Sequence, residues 1–345
     1  MARPTIADVA EAAGVSISTV DRVLNDRSPV RRKTAERVMQ AAEGIGFYAT
    51  NVIRHRLHAS KVKRRFGFLL LQGNRSFYRN LAHELQQAAG RYQDITVHTE
   101  VVFMEELTPG AIAEKILEMG QTVDALGLVA AEHPLIIQAI RQLRENGVPS
   151  FALISSLTAE NGVGYVGLDN WKVGRTAAWT FANLCHRPGK LASMIGSHRY
   201  RCQEMNEIGF RSYFREHPAD FQLLEPLSSV ESKHLAAELI FELLEKETDL
   251  TGLFVFGGGV TGVISALRES KRAQDITVVG LELMDETREA LLDGTLNLLI
   301  SHPLPRIAQV TLDAMLASTA DGADRVGGNL PTLRLPFEIY TPENL

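Results

Sequence analysis

The sequence predicts an α/β protein: an all-α head of three short helices, then two doubly wound lobes, each a parallel sheet with helices on both faces. Three observations lead there. Residues 5–45 carry apolar side chains at helical spacing, bracketed by cap and stop residues. From Phe66 onward, short apolar runs alternate with helical stretches of ten to sixteen residues, the pattern of parallel sheets. The alternation then repeats, which makes two lobes. A chain of 345 residues is long enough for two or three domains with sizeable cores.

The head is organised around Thr5–Asn25, TIADVAEAAGVSISTVDRVLN. Ile6, Val9, Ala10 and Ala13 form one apolar helical side. Thr5 stands at the N-cap with Asp8 three residues on, and Gly14 supplies a left-handed stop. Ser16 caps a second helix with Val20, Val23 and Leu24 inward and Ile17, Ser18, Asp21 and Arg22 outward near its start. This is a helix-turn-helix pattern, and the outward residues stand where a recognition helix meets base edges. A third helix over Arg32–Gly44 turns Val38, Ala41 and Ala42 inward, with Ile45 just beyond it. Arg22, Arg27, Arg31, Arg32, Lys33 and Arg37 fall on the polar side. Residues 1–65 hold 13 Lys+Arg against 6 Asp+Glu, a net charge of +7; the whole chain is −5, which leaves −12 for the remainder. A basic helical head on an acidic body is the charge footprint of a nucleic-acid-binding domain.

The stretch TIADVAEAAGVSISTVDRVLN resembles the signature of the lac repressor (LacI/GalR) family of bacterial transcription factors, and the match continues through Asn51 and Leu57. The resemblance implies a homodimer that places two heads on a pseudo-palindromic operator in double-stranded DNA. Arg22, Ser18 and Ile17 would read the major groove, while Thr5, Ser16, Thr19, Asn25 and Thr34 position phosphates. It further implies a hinge helix over residues 50–64, in which Asn51 caps towards a phosphate and Leu57 wedges into the minor groove. Thr50 and Arg54 replace the usual proline and alanine of that hinge. Asp21 replaces the usual serine; repelled by phosphates, a carboxylate there accepts from a cytosine amino group or pairs with Arg22. Behind the head the resemblance implies a periplasmic-binding-protein-like domain of type I over 65–345, controlled by a sugar, polyol or sugar derivative. Its first lobe is expected at about 65–168 plus 299–331, its second at about 169–298 plus 332–345, and the head proper at 1–49.

Within the body, Phe66–Leu71, Thr96–Val102, Ala125–Ala130, Ser150–Ile154 and Tyr165–Leu168 read as the strands of the first lobe. Helices around Leu81–Tyr92, Pro109–Met119 and Pro134–Asn146 fall between them. Ala192–Ile195, Gln222–Leu224, Leu253–Phe256, Thr277–Leu281 and Leu298–Ser301 repeat the rhythm, and Leu333–Tyr340 reads as one last strand crossing back to the second lobe. Ligands of such sheets bind at the carboxyl ends of the strands. Gln72, Asn74, Phe77 and Tyr78 follow the first strand. Asp169 and Asn170 follow Tyr165–Leu168. The resemblance adds Asn206, in place of an arginine in an R-x-x-G-F pattern ending here at Gly209-Phe210, with Arg199 and Arg201 upstream as substitutes. It also adds Glu282 for an aspartate, His302 for a glutamine, and Gly257-Gly258 for an Asn-Asp pair. A loop without that pair offers backbone N–H groups, including that of Gly258, to an anionic or phosphorylated ligand.

One motif supports a different class. Gly257, Gly259 and Gly262 form a literal G-x-G-x-x-G after Leu253–Phe256, with Glu282 twenty residues further on. That is the spacing of a dinucleotide site, and the alternative it carries is an NAD-dependent oxidoreductase. No catalytic residue and no cofactor are otherwise expected. The ten histidines lack metal-ligand spacing, so no metal is expected. Cys185 and Cys202 read as two unpaired thiols of a reducing compartment. The N-terminus has no apolar signal segment and no run long enough to span a membrane, so the expected location is the cytoplasm. No leucine heptads follow the last strand, hence the expectation of a dimer and not a tetramer.

Overall fold

The computed structural model describes residues 3–25, 30–53, 62–158, 162–185, 187–217, 220–270, 272–320 and 322–345. Arg27, Arg54 and Leu57 lie outside the described residues. The head forms helices Ile6–Ala13, Ile17–Asn25 and Arg32–Gly44. Gly14 ends the first in the left-handed region at φ 62°, which costs glycine nothing. Val9, Ala10, Ala13, Val20, Val23, Leu24, Ala35, Val38 and Ala42 make its core; Ala41 and Ile45 are only partly buried against it. Phe47 and Ile53 complete that core, both fully buried. The packed head therefore runs past the boundary expected at residue 49, because three alanine-rich helices leave room that two larger side chains fill.

The body forms two sheets. The first contains β1 (Val62–Leu71), β2 (Ile95–Met104), β3 (Ala125–Leu128), β4 (Ser150–Leu153), β5 (Val163–Leu168) and β12 (Thr332–Leu335), in the order β12-β5-β4-β3-β1-β2. The second contains β6 (Gly189–Ile195), β7 (Phe221–Leu223), β9 (Leu250–Phe256), β10 (Thr277–Leu281), β11 (Leu298–Ser301) and β13 (Glu338–Tyr340), in the order β13-β11-β10-β9-β6-β7, with the short β8 (Leu227–Ser228) also on β6. Strands β3, β4, β9 and β11 are buried along their whole length. That is why they read as unbroken apolar runs instead of alternating ones.

Two lobe assignments need correction. The segment 299–331 was expected in the first lobe, but β11 pairs with β10 in the second sheet; only the following helix, Leu304–Ser318, packs on the first-lobe helix Ser76–Ala89. Leu333–Tyr340 is not one strand returning to the second lobe. β12 runs parallel to β5 in the first sheet and β13 antiparallel to β11 in the second. Pro336 lies between them, and a residue without an N–H breaks the ladder there. The chain thus passes between the sheets at Asp169, at His302-Pro303 and at Pro336-Phe337.

In the first sheet the order reverses between β1 and β3, and in the second between β6 and β9. A crevice opens at each reversal, beyond the carboxyl ends of the strands, because the flanking crossovers leave in opposite directions. Among the described residues, no helix is long and apolar enough to cross a membrane.

Candidate functional site

In the head, Thr5 and Asp8 close a capping box. The Thr5 N–H and hydroxyl donate to the Asp8 carboxylate at 2.7 and 2.8 Å, and the Asp8 N–H returns to the Thr5 oxygen at 3.4 Å. Ser16 accepts from the Thr19 N–H at 3.2 Å and lies 2.9 Å from the hydroxyls of both Ser18 and Thr19. The second helix is thereby fixed at its start. Its outward side carries Ile17, an apolar side chain left 57% exposed, beside exposed Ser18 and Arg22. The Arg22 guanidinium donates to the Ser18 carbonyl at 3.2 Å and to its hydroxyl at 3.4 Å. Asp21 accepts from the Asn25 amide at 2.6 Å, a partner the sequence reading did not name. Thr34 is half-buried and Asn51 exposed; the Thr50 hydroxyl donates to the Phe47 carbonyl, tying the start of the expected hinge to the head.

In the body, both sheet reversals are joined by one ion pair. Arg75 follows β1 in the first lobe, and Glu231 follows β8 in the second. The guanidinium donates to the Glu231 carboxylate at 2.6 Å and to the Glu231 carbonyl at 2.8 Å. Gln203 donates to the other carboxylate oxygen at 2.8 Å, while its own oxygen accepts from the Gly196 and Ser197 N–H groups just past β6. The next two first-lobe residues also reach the second lobe. The Ser76 hydroxyl donates to Glu286 at 3.0 Å, and the Phe77 ring lies 5.9 Å from that of His302. Elsewhere the Glu132 N–H donates to the Arg199 carbonyl at 2.9 Å, and the Cys202 N–H to the Ser155 hydroxyl at 3.3 Å.

Three titratable groups beside the pair keep their protons. Burial pushes the Cys202 thiol up to about 12. Burial likewise raises the Tyr78 and Tyr200 phenols above their ordinary range, and the Glu231 charge adds to all three shifts. These side chains hold their protons at neutral pH.

Glu282, at the end of β10, forms a second carboxylate site. It accepts from the His302 N–H at 3.2 Å and from the Ser301 hydroxyl at 3.5 Å, and lies 2.7 Å from His302 Nδ1. His302 is buried, and its Nε2 has no partner among the described residues. The histidine lines a cavity of about 240 Å³ together with His83, Glu84, Glu338 and Tyr340.

The remaining expected residues divide. Tyr78 lies in the charged cluster with Arg75 and Glu231. Gln72 directly follows β1, where its N–H donates to the Met104 carbonyl, and Asn74 is exposed. Asp169 caps the helix Asn170–Leu184 through the Lys172 N–H at 3.3 Å, and Asn170 donates to the Tyr165 hydroxyl. Arg199 is exposed and Arg201 half-buried at the start of its helix. Asn206 is buried, with no partner for its Oδ1 among the described residues. Arg75, Gln203 and Glu231 were missed. Arg75 and Glu231 lie 156 positions apart, and Glu231 sits in an irregular segment with no periodicity to mark it.

The glycine loop has a structural explanation. Gly257 and Gly259 take φ of 131° and 105°, where a side chain is strained. A Cβ at Gly262 would stand 1.9 Å from the Lys233 carbonyl, so this glycine lets two helices touch. A Cβ at Gly258 would stand 1.9 Å from the Glu231 carboxylate. The same Cβ would stand 2.7 Å from the Arg75 guanidinium, so this glycine makes room for the ion pair.

Residues 66–323 match the family model of the periplasmic binding protein domain, and residues 5–51 that of the bacterial regulatory proteins of the lacI family. An uncharacterized HTH-type transcriptional regulator from Streptomyces limosus is 26% identical over 92% of this chain and 88% of its own. The HTH-type transcriptional regulator GalS of Salmonella typhimurium is 25% identical over 95% of this chain and 94% of its own. An ABC transporter solute binding protein from Burkholderia graminis, solved with D-arabinose, shares the fold with a TM-score of 0.74 at 16% identity, over 83% of this chain and 98% of that one. The capped helical head and the two parallel-sheet lobes are thus those of a family, and the chain belongs to the lacI family of bacterial regulatory proteins, with a periplasmic-binding-protein domain as its body.

Proposed function

We propose that the chain is a sequence-specific DNA-binding transcriptional regulator, a repressor, that binds a pseudo-palindromic operator as a homodimer and answers to a small polar effector of carbohydrate type. One observation carries the reading. A helix-turn-helix head with Ile17, Ser18 and Arg22 exposed on its second helix shares a chain with a two-lobed body whose sheet reversals meet across a polar cleft. Arg22, Ser18 and Ile17 read base edges; Thr5, Ser16, Thr19, Asn25, Thr34 and Asn51 lie where phosphates are positioned. Asp21, which accepts from the Asn25 amide, stands on the same helix, where a carboxylate suits a cytosine amino group. The names of the relatives support a regulator, and the arabinose of the fold neighbour motivates a carbohydrate. Movement of the lobes on effector binding changes operator affinity through the segment 50–64. Binding of fluorescent operator libraries to wild type and Arg22→Ala tests this. The substitution is expected to cost about 1–3 kcal/mol at one base pair of each half-site; unchanged operator choice refutes the assignment. The oxidoreductase alternative predicts NAD binding with little salt-dependent DNA affinity, whereas a regulator's affinity falls steeply with salt.

A further inference from the structure

We propose that Glu231 and Arg75 set the charge class of the effector. The part of the ligand that meets the second lobe is a set of hydrogen-bond donors, as in a neutral polyhydroxy compound, which takes the Glu231 carboxylate in exchange for the Arg75 guanidinium; phosphate and carboxylate groups are refused there. This assignment rests on the reading of the cleft as an effector site.

The carboxylate is built into the second lobe. Val230 and Glu231 take φ of 48° and 62°, two consecutive side-chain-bearing residues in left-handed backbone. Such backbone is strained and persists only where the surroundings over-determine it. The surroundings do so. Gly196 and Gly258 leave the carboxylate its space, since a Cβ on either would lie 1.9 Å from one of its oxygens. Gln203 holds one of those oxygens from within the same lobe.

Arg75 is the partner that can leave. It belongs to the other lobe, its guanidinium bonds go to Glu231, and it is the more exposed of the two side chains, at 24% against 13%. Parting the lobes withdraws the guanidinium and leaves the carboxylate where it is. A partly buried carboxylate that has lost its counter-ion is costly even with the Gln203 bond kept, so a ligand that replaces Arg75 has to supply donors.

An anion finds the opposite. The Gly196 and Ser197 N–H groups, which would attract one at the end of β6, already donate to Gln203.

The test is calorimetric titration of the full-length protein with neutral aldoses and polyols and, in parallel, with their phosphates and aldonic acids. Wild type, Arg75→Ala and Glu231→Gln are compared after each shows cooperative unfolding. Arg75→Gln stands in if Arg75→Ala does not fold. The expected result is a neutral compound bound by wild type, about tenfold tighter in the Arg75 variant, at least tenfold weaker in Glu231→Gln, with its phosphate and acid unbound. Equal or tighter binding of the phosphate or acid overturns the charge assignment alone. Loss of affinity in the Arg75 variant overturns the exchange, because Arg75 then holds the ligand directly. Absence of binding by every compound to every variant overturns the carbohydrate-effector reading beneath both.

Discussion

Glu231 and Glu282 are the same local device put to two uses. Each follows a strand of the second sheet in left-handed backbone, with φ of 62° and 70°, and each holds a part-buried carboxylate beyond the carboxyl ends of the strands. Glu282 is wrapped by residues of the adjacent β11 and of the crossing after it, Ser301 and His302. Glu231 is bonded across the cleft by Arg75 of the first lobe. The difference teaches where a carboxylate is available. One held by its sheet neighbours stabilises a crossing between lobes, and one held by the opposite lobe can be exchanged when the lobes move.

The largest effect is expected of Arg75→Ala, which leaves Glu231 partly buried without its counter-ion. A loss of about 2–3 kcal/mol is expected in urea unfolding, below the range for a fully buried pair because both groups keep some solvent. A double-mutant cycle with Glu231→Gln should show coupling of roughly 1 kcal/mol or more; additive effects would mean that the pair does not join the lobes. Glu282→Gln should cost less, about 1–2 kcal/mol, since the amide keeps one acceptor for the His302 and Ser301 donors. That variant should leave Arg75–Glu231 coupling unchanged, and a shared loss would merge the two sites into one network.

The Thr5–Asp8 box extends the comparison to a pair closed within a single turn. Thr5→Ala is expected to cost about 1 kcal/mol, confined to the head and read by amide exchange in helix Ile6–Ala13. The smallest effect is its pH dependence. Bonds from the Thr5 N–H and hydroxyl hold the Asp8 carboxyl below its ordinary range. Its contribution is therefore complete above the unfolded value of roughly 4 and lost as pH falls through the lowered folded value. Thr5→Ala keeps the larger N–H bond and should only weaken that acid dependence, whereas Asp8→Asn should abolish it; an unchanged slope in the Asp8 variant, in exchange-detected stability below about pH 4, would mean the box adds nothing.

Legibility followed contact distance along the chain. The Thr5 cap, the Gly14 stop and the inward Val20, Val23 and Leu24 were readable because their partners lie within one turn or one neighbouring helix. Ile53 was not, because one buried side chain in a basic segment has no period. The strands were readable as apolar runs, but Leu333–Tyr340 gave no sign of which sheet each half joins. In the cleft, Glu282 and His302 did come together. Gly258 proved to be the space for another residue's carboxylate, and Arg199 stays in solvent.

The sequence by itself determined a capped helix-turn-helix head with a basic surface and two rounds of strand and helix. These follow from periodicity, capping and charge, which act between residues close in the chain. Only the tertiary structure decided that Arg75 and Glu231 meet, that Gln203 occupies the amides after β6, and that His302 locks Glu282 where the chain leaves the second lobe. Those contacts form only where the ends of strands from different parts of the chain are brought together, and nothing in the local pattern of either partner depends on the other.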